Sequence, residues 1–349
     1  MSGFEKEIKI GKHLLKDNGQ VFIVAEAGVN HGGDIKLAKK LIDIAAEAGA
    51  DAVKFQAFRT KELIIDQVEK APYQTKTTSS EESQSEMLSK LELSKAHYTE
   101  LKEYCEQQDI IPLITPFDEV SLKELEEVGL LAYKVASTDT TNLPFLKKIA
   151  ATGKPMFLST GMTYLDEIKS ALAEIEPLNK QLILMQCTAN YPIEDKEANL
   201  RVIETFKQEF NVLLGYSDHS VGLGACRYAI PMGVCMIEKH FTLDKLADGP
   251  DHRASLSPEE LKELVKEVRT IEKYLGSTVK EPTDSEKQTR KSLQKCLVAK
   301  QAIQKGEAFT EANIIAKRTG GKGISPLRYR ELLTQKAKRD FAENEILEL

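Results

Sequence analysis

The sequence predicts an α/β protein, a closed (β/α)8 TIM barrel followed by a small appended domain. Three observations carry that reading: eight short apolar runs, helical periodicity between successive runs, and polar side chains gathered where the runs end. The runs cover residues 21–25, 52–55, 110–114, 132–135, 156–158, 182–185, 212–214 and 234–237. Each is continuously apolar rather than alternating, the pattern of a strand covered on both faces, as in a parallel sheet.

The stretches between the runs fit helices. Residues 35–45 place apolar side chains at helical spacing after Asp34, a suitable N-cap, and the pattern stops near Gly49. Similar stretches cover 95–108, 119–128, 143–151, 165–175, 198–210 and 222–232, and residues 258–275 follow the last strand. Strand and helix in alternation describe a parallel architecture, and eight strands suggest closure. Residues 59–93 are polar and too long for a simple connection, so they are expected to form a loop with a short helix over one barrel face, placed to act as a lid. Polar composition from 276 to 291, including Pro282, separates a barrel domain at 1–280 from a linker at 281–291 and an appended domain at 292–349. That last part combines short β-like pieces, Gly and Pro turns and a helical stretch near 326–334, and it is small enough to need a neighbour for stability.

Composition bounds the function. The chain has 349 residues, 41% hydrophobic and 29% charged, enough for one large core or two unequal ones. A formal net charge of -6 without a dense basic stretch gives no electrostatic support for a nucleic-acid partner. No run approaches the roughly 20 apolar residues of a membrane span, and the charged N-terminus lacks the apolar core of a signal peptide, so a cytoplasmic protein without a membrane partner is expected. The five cysteines form no Cys-x-x-Cys pair and read as reduced packing residues.

A barrel of this kind carries its catalytic groups at the C-terminal ends of its strands. Here the strands run into Glu26-Ala27-Gly28-Val29-Asn30-His31, Lys54-Phe55-Gln56, Thr115-Pro116-Phe117, Lys134-Val135-Ala136-Ser137-Thr138-Asp139, Ser159-Thr160-Gly161-Met162, Gln186-Cys187-Thr188, Ser217-Asp218-His219 and Glu238-Lys239-His240. His219 and His240 end successive strands, and closure brings them to the rim where Glu26 ends the first strand. Two imidazoles with water and carboxylate oxygens suit a divalent ion such as manganese, iron, magnesium or zinc, whose open position polarises an aldehyde. His31 either joins this chemistry or shapes the Gly32-Gly33 turn, whereas His13 and His97 lie away from the strand ends as surface or packing residues. Lys54 and Lys134 sit within apolar runs, where an unpaired ammonium is costly. With Thr115, Ser137, Ser159 and Ser217 they suit a ligand bearing both carboxylate and phosphate. Pairing with barrel carboxylates and a Schiff-base role are the alternatives. The basic run 317–323 reads by itself as a solvated turn.

At these residues the sequence resembles the sialic acid synthase family, which includes N-acetylneuraminate, legionaminate and pseudaminate synthases, from about residue 22 to 347. Glu26 to His31, Lys54-Phe55-Gln56, Ser217-Asp218-His219, Glu238-Lys239-His240-Phe241 and Gly249-Pro250-Asp251-His252 stand in the family's order, and the final segment is similar to its antifreeze-like (SAF) β-clip domain. The resemblance implies a phosphoenolpyruvate-dependent transferase that forms a carbon–carbon bond, with Glu26, Lys54, Lys134, His219 and His240 as its catalytic residues. It implies that His219 and His240 bind manganese, with magnesium or cobalt as substitutes, and that Lys54, Thr115, Lys134, Ser137, Ser159 and Ser217 hold phosphoenolpyruvate. Gln56, Phe117, Asp139, Tyr191 and Asp251, with Glu26, match positions around the sugar. It further implies a homodimer with exchanged SAF domains, each delivering an arginine, here Arg318, to the other subunit's barrel. Two departures appear. Ala189 stands where some relatives carry asparagine, which leaves Asn190 as the substitute, and Asp139 stands where some carry glutamate and so has a shorter reach. N-acetylmannosamine, giving N-acetylneuraminate, is the favoured acceptor. A diacetamido-trideoxyhexose leading to legionaminic or pseudaminic acid is the alternative, with a Schiff-base aldolase and a non-catalytic recognition module as more distant readings.

Overall fold

The computed structural model describes residues 3–65, 68–71, 75 and 82–348, which divide into two compact units, Met1–Gly276 and Ser277–Leu349. The first unit opens with a hairpin, β1 (Glu7–Ile10) and β2 (His13–Lys16). Eight parallel strands follow: β3 (Phe22–Gly28), β4 (Ala52–Ala57), β5 (Ile111–Pro116), β6 (Tyr133–Val135), β7 (Met156–Ser159), β8 (Leu182–Cys187), β9 (Leu213–Asp218) and β10 (Met236–His240). They close into a barrel in which β10 pairs with both β9 and β3.

Alternation along the strands explains what each face does. Phe22, Val24, Ala52, Ile111, Leu113, Ala132, Phe157, Ile183, Met185, Leu213 and Met236 form one buried cluster inside the barrel. Ile8, Ile10 and Leu15 of the hairpin join this cluster. They plug the N-terminal end, so the interior can open only at the opposite end. The intervening residues, including Ile23, Val53, Ile114, Leu158, Leu184 and Ile237, pack outward against the helices. Burial of such side chains contributes about 1.5–3 kcal/mol each.

The helices are α1 (Ile35–Ala48), α2 (Thr60–Leu63), α3 (Gln84–Ser89), α4 (Lys95–Gln107), α5 (Glu119–Val128), α6 (Leu143–Ala151), α7 (Leu165–Ile175), α8 (Val202–Glu209), α9 (Cys226–Ala229) and α10 (Pro258–Leu275). Asp34 caps α1 by accepting from Lys36 N at 2.7 Å, and Gly49 ends it with φ +81. The helix expected over 222–232 shrinks to α9 and a 3-10 turn, Ile230–Met232. Gly222 and Gly224 are left-handed there (φ +64 and +55), and Pro231 lacks an amide hydrogen. The helix expected from 198 starts at Val202, because Asn199 is left-handed at φ +45. Among the described residues of 59–93 two short helices, α2 and α3, stand where one was expected. The rest of that expected lid falls partly on 66–67, 72–74 and 76–81, outside the described residues. All five cysteines are free and buried, as packing residues.

The second unit contains α11 (Asp284–Leu293), β11 (Lys295–Ala299), β12 (Ile314–Arg318) and α12 (Tyr329–Leu333), with β11 and β12 antiparallel. The polar stretch read as a linker is largely helical, capped by Thr283, and no residue of α11 is buried. Leu297, Ile303, Phe309, Ile314, Leu332 and Phe341 anchor this unit's own core. Among the described residues no helix is long and apolar enough to cross a membrane.

Candidate active site

Because the inner face of every strand is apolar at the plugged end, the next inward position along most strands is the first that reaches the open mouth. Those positions are Glu26, Lys54, Thr115, Lys134, Ser159, Cys187, Ser217 and Glu238, and they line a cavity of about 810 Å³. His219 and His240 continue the same rows of β9 and β10, and Gln56 that of β4. A register slip after Glu26, with Gly28 at φ +54, re-aims the end of β3. A Cβ on Gly28 would meet Glu26 Oε1, Gln56 Nε2 and Asp251 Oδ2 at 3.3–3.4 Å, so the left-handed backbone and the close approach both favour glycine.

Two ammonium and two carboxylate groups form the floor. Lys54 Nζ lies 2.8 Å from Glu26 Oε2 and 3.8 Å from Glu238 Oε2, and it donates to Thr115 Oγ1 at 3.2 Å. Lys134 Nζ donates to Ser159 Oγ at 2.6 Å and lies 3.6 Å from Glu238 Oε1, which also accepts from Ser217 Oγ at 3.0 Å. Both lysines and both glutamates are at most 5% exposed at the side chain, so the charges must compensate one another. Burial pushes the Glu26 carboxyl up to about 7, against the pull of Lys54 and with help from Glu238. Glu238 is buried too, but Lys134 and Lys54 together hold it below the usual carboxylate range. Burial lowers Lys134 even though Glu238 opposes the shift. Burial also pushes Asp251 up to about 6.

The shift at Glu26 has a measurable consequence. Its carboxyl rises from 4.5 to about 7 on folding, so the stability it contributes is fully present below about 4.5 and lost as pH rises through about 7. In chelator, wild type is expected to lose thermal stability relative to Glu26→Gln across that window. Parallel Tm profiles for the two proteins would contradict the assignment.

The imidazoles stand further along β9 and β10, with His240 paired in register with Glu26 of β3. The His219 and His240 rings lie 5.4 Å apart between centroids, and Tyr191 packs on both at 4.1 and 5.5 Å. His219 Nδ1 sits 2.8 Å from the Thr188 carbonyl, which favours the tautomer protonated at Nδ1 and leaves Nε2 a lone pair. His240 Nδ1 is buried without a hydrogen-bond partner among the described residues. Burial, reinforced by His219 and Lys54, keeps His240 uncharged, far below its ordinary value. Burial lowers His219, but Cys187 and the Thr188 carbonyl outweigh it and raise the ring above its ordinary value. Two facing imidazoles, one with an orphaned nitrogen, fit a divalent ion. Among the described residues no three His, Cys, Asp or Glu side chains form a metal-holding group, so this chain offers an ion two nitrogens and open positions.

A model described as the NeuB family matches residues 41–280, and one for the SAF domain matches 294–348. The chain belongs to the NeuB family. It is 46% identical over 331 residues to the N,N'-diacetyllegionaminic acid synthase of Campylobacter jejuni, covering 94% of this chain and 99% of that one. It is 37% identical over 306 residues to the human N-acetylneuraminate-9-phosphate synthase, covering 87% and 85%. The crystal structure of an N-acetylneuraminic acid synthetase from Leptospira borgpetersenii superposes with a TM-score of 0.73 at 36% identity, covering 84% of this chain and 99% of that one.

In this NeuB-family barrel the residues expected from sequence fall at one mouth with few exceptions. Phe117, Ser137, Asp139, Tyr191 and Asp251 line the same cavity as the strand-end groups. Ser137 Oγ accepts from Gly161 N at 2.9 Å, and Asp139 accepts from Asn142 Nδ2 at 3.0 Å. Asn190 does not line the cavity: it is exposed, while its neighbours Ala189 and Tyr191 face inward. Arg318 ends β12 in the second unit, where its side chain is exposed. His31 shapes the turn, its Nδ1 accepting from Gly33 N at 2.9 Å. His97 closes the capping box of α4, and His13 lies 3.6 Å from Asp51. Glu238, within Glu238-Lys239-His240, carries no role expected from sequence, although it faces both lysines. Its parity with Met236 and His240 was the available signal.

Proposed function

We propose that this chain condenses phosphoenolpyruvate with the open-chain aldehyde of a diacetamido-trideoxyhexose, releasing phosphate and forming N,N'-diacetyllegionaminate. The observation that carries the reaction class is the convergence of Lys54 and Lys134 on one carboxylate, at 3.8 and 3.6 Å, beside the paired imidazoles. A ligand with both carboxylate and phosphate would supply the anions that Glu26 and Glu238 now provide. The acceptor differs from N-acetylmannosamine, the acceptor favoured from sequence. Its support is the 46% identity to a diacetyllegionaminic acid synthase against 37% to the human enzyme.

Lys54 and Lys134 hold the donor's anionic groups, with hydroxyls of Thr115, Ser137, Ser159 and Ser217 completing the cradle. His219 and His240 are proposed to hold a divalent ion, manganese first and magnesium or cobalt as substitutes. When bound it supplies Lewis acidity toward the aldehyde oxygen. Carbon 3 of the donor forms the new bond to the aldehyde carbon, and carbon 2 becomes electron-poor. Glu26 accepts a proton from the water that adds at carbon 2, a role suited to a carboxyl titrating at about 7. The tetrahedral adduct then expels inorganic phosphate and leaves the 2-keto acid. Gln56 donates to Glu26 Oε1 at 3.3 Å and so orients it, while Phe117, Asp139, Tyr191 and Asp251 surround the sugar. Exchange of SAF domains in a homodimer, with Arg318 reaching the partner's sugar, belongs to the same proposal. It draws support from the exposure of Arg318 at the end of β12.

Phosphate release from phosphoenolpyruvate tests both parts. With manganese, the diacetamido sugar is expected to give a kcat/KM at least about ten-fold above that of N-acetylmannosamine, the discrimination expected from 1–3 kcal/mol of pocket contacts. The reverse order would return the acceptor to N-acetylmannosamine. Chelation is expected to abolish turnover until manganese is restored. Full activity in chelator with borohydride trapping on either lysine would replace this chemistry with a Schiff base.

A further inference from the structure

Behind the two histidines, on the outer face of the barrel, lies a buried ion pair that the reaction as described does not use. Asp218 and Lys239 are direct partners in the β9–β10 register, each one residue before a histidine. Alternation turns them away from the cavity while His219 and His240 face it. Their side chains are 0% and 1% exposed, and Lys239 Nζ lies 3.0 Å from Asp218 Oδ2.

The pair is fully engaged. Asp218 Oδ1 accepts from Ser220 N at 2.9 Å, Ser220 Oγ at 2.7 Å and Tyr216 OH at 3.3 Å. Its Oδ2 accepts from Ala225 N at 3.0 Å, and Lys239 Nζ also donates to the Ser220 carbonyl at 2.5 Å. The loop is drawn so tightly over the pair that a Cβ on Gly224 would fall 2.1 Å from Ser220 Oγ and 2.4 Å from Asp218 Oδ2. Stability alone is a poor reason for such an arrangement, since apolar side chains of similar volume often replace a buried ion pair without loss. What apolar packing would not do is pin two neighbouring strand ends at one separation.

The geometry points to Asp218 and Lys239 as positioning residues: an outer brace that sets the spacing of His219 and His240 and thereby the affinity of the barrel for a divalent ion. The inference rests on the ion site proposed above. It acts through the backbone of β9 and β10, since neither side chain lines the cavity.

Metal-stripped, full-length protein titrated with Mn2+, with free ion read by EPR, separates the two ideas. If wild type binds no Mn2+, the ion site fails and the brace with it. If wild type binds and His240→Ala does not, the site stands and the brace is under test. Lys239→Met, and Asp218→Leu combined with Lys239→Met, are then expected to weaken Mn2+ by about ten- to a hundred-fold, as loss of outer support for metal ligands does. Phosphoenolpyruvate affinity, measured by calorimetry, falls far less than Mn2+ affinity, because Lys54, Lys134, Thr115 and Ser159 sit on other strands and of the cradle only Ser217 lies on β9. Should those variants fail to fold, Ser220→Ala removes one bond to Asp218 and keeps the pair, with a smaller loss of Mn2+ affinity in the same direction. Wild-type Mn2+ affinity in a folded variant overturns the brace and leaves the ion site intact. An equal loss of Mn2+ and phosphoenolpyruvate binding also overturns it, because that is general loosening.

Discussion

Replacing His240 with alanine is expected to lower turnover by about a thousand-fold or more at saturating phosphoenolpyruvate and sugar. Lewis-acid assistance contributes several kcal/mol, and each 1.36 kcal/mol is a factor of ten in rate. His219→Ala is expected to match it, and the double variant to be no worse than either single one, because both imidazoles are proposed to serve one ion. The thermal cost is small by comparison. His240 Nδ1 has no hydrogen bond to lose among the described residues, and the ring contacts with Tyr191 and His219 are forfeited. Steady-state phosphate release paired with a melting curve checks both statements. Activity within ten-fold of wild type in a folded His240→Ala protein would remove the ion from the reaction. The same variant tests the proposed exchanged-domain dimer. Mixed with inactive Arg318→Ala protein and allowed to exchange subunits, it regains activity only where intact Arg318 from one subunit completes an intact barrel of the other.

Lys54→Met is expected to lower kcat/KM for phosphoenolpyruvate by about two to four powers of ten. Removing one partner of a buried charge group costs about 3–5 kcal/mol, since the charges left behind keep their desolvation penalty. Here Glu26 and Glu238 would face each other without the ammonium 2.8 and 3.8 Å away. The Glu26 carboxyl, already at about 7, would move up further, so the acidic limb of the pH–rate profile shifts to higher pH. Without ligand, the variant is expected to be less stable than wild type at pH 8 and closer to it at pH 6, where protonation relieves the unpaired carboxylates. Lys54→Arg is not expected to rescue activity, because the bulkier planar guanidinium has to fit where Nζ touches Thr115 and Glu26. An unchanged KM for phosphoenolpyruvate in Lys54→Met would separate this lysine from the donor.

Much of the barrel is legible because burial leaves a local record. Strands such as 182–185 are apolar on both faces, and helices such as 165–175 show one apolar stripe bounded by turn residues. The N-terminal hairpin is less visible: Glu7–Ile10 alternates charged and apolar residues over four positions and His13–Lys16 does not alternate at all, so neither stands out from a loop. The helix at Cys226–Ala229 is shorter than its periodicity suggests, because periodicity does not register how Asp218 and Ser220 hold the preceding loop. Asn190 is the nearest asparagine to the position that Ala189 fills, and only the chain's path shows that Tyr191 turns inward instead.

The sequence by itself determined that eight strands end in polar groups, and that two histidines and two lysines would gather at one mouth. Each of those facts is written in a few consecutive residues. Only the tertiary structure decided who neutralises whom: Glu238 between Lys54 and Lys134, and Asp218 against Lys239 behind the histidines. Those pairings join residues about 20 to 180 positions apart. They exist because closing the sheet places β10 beside β9 and β3, a proximity that no local pattern encodes.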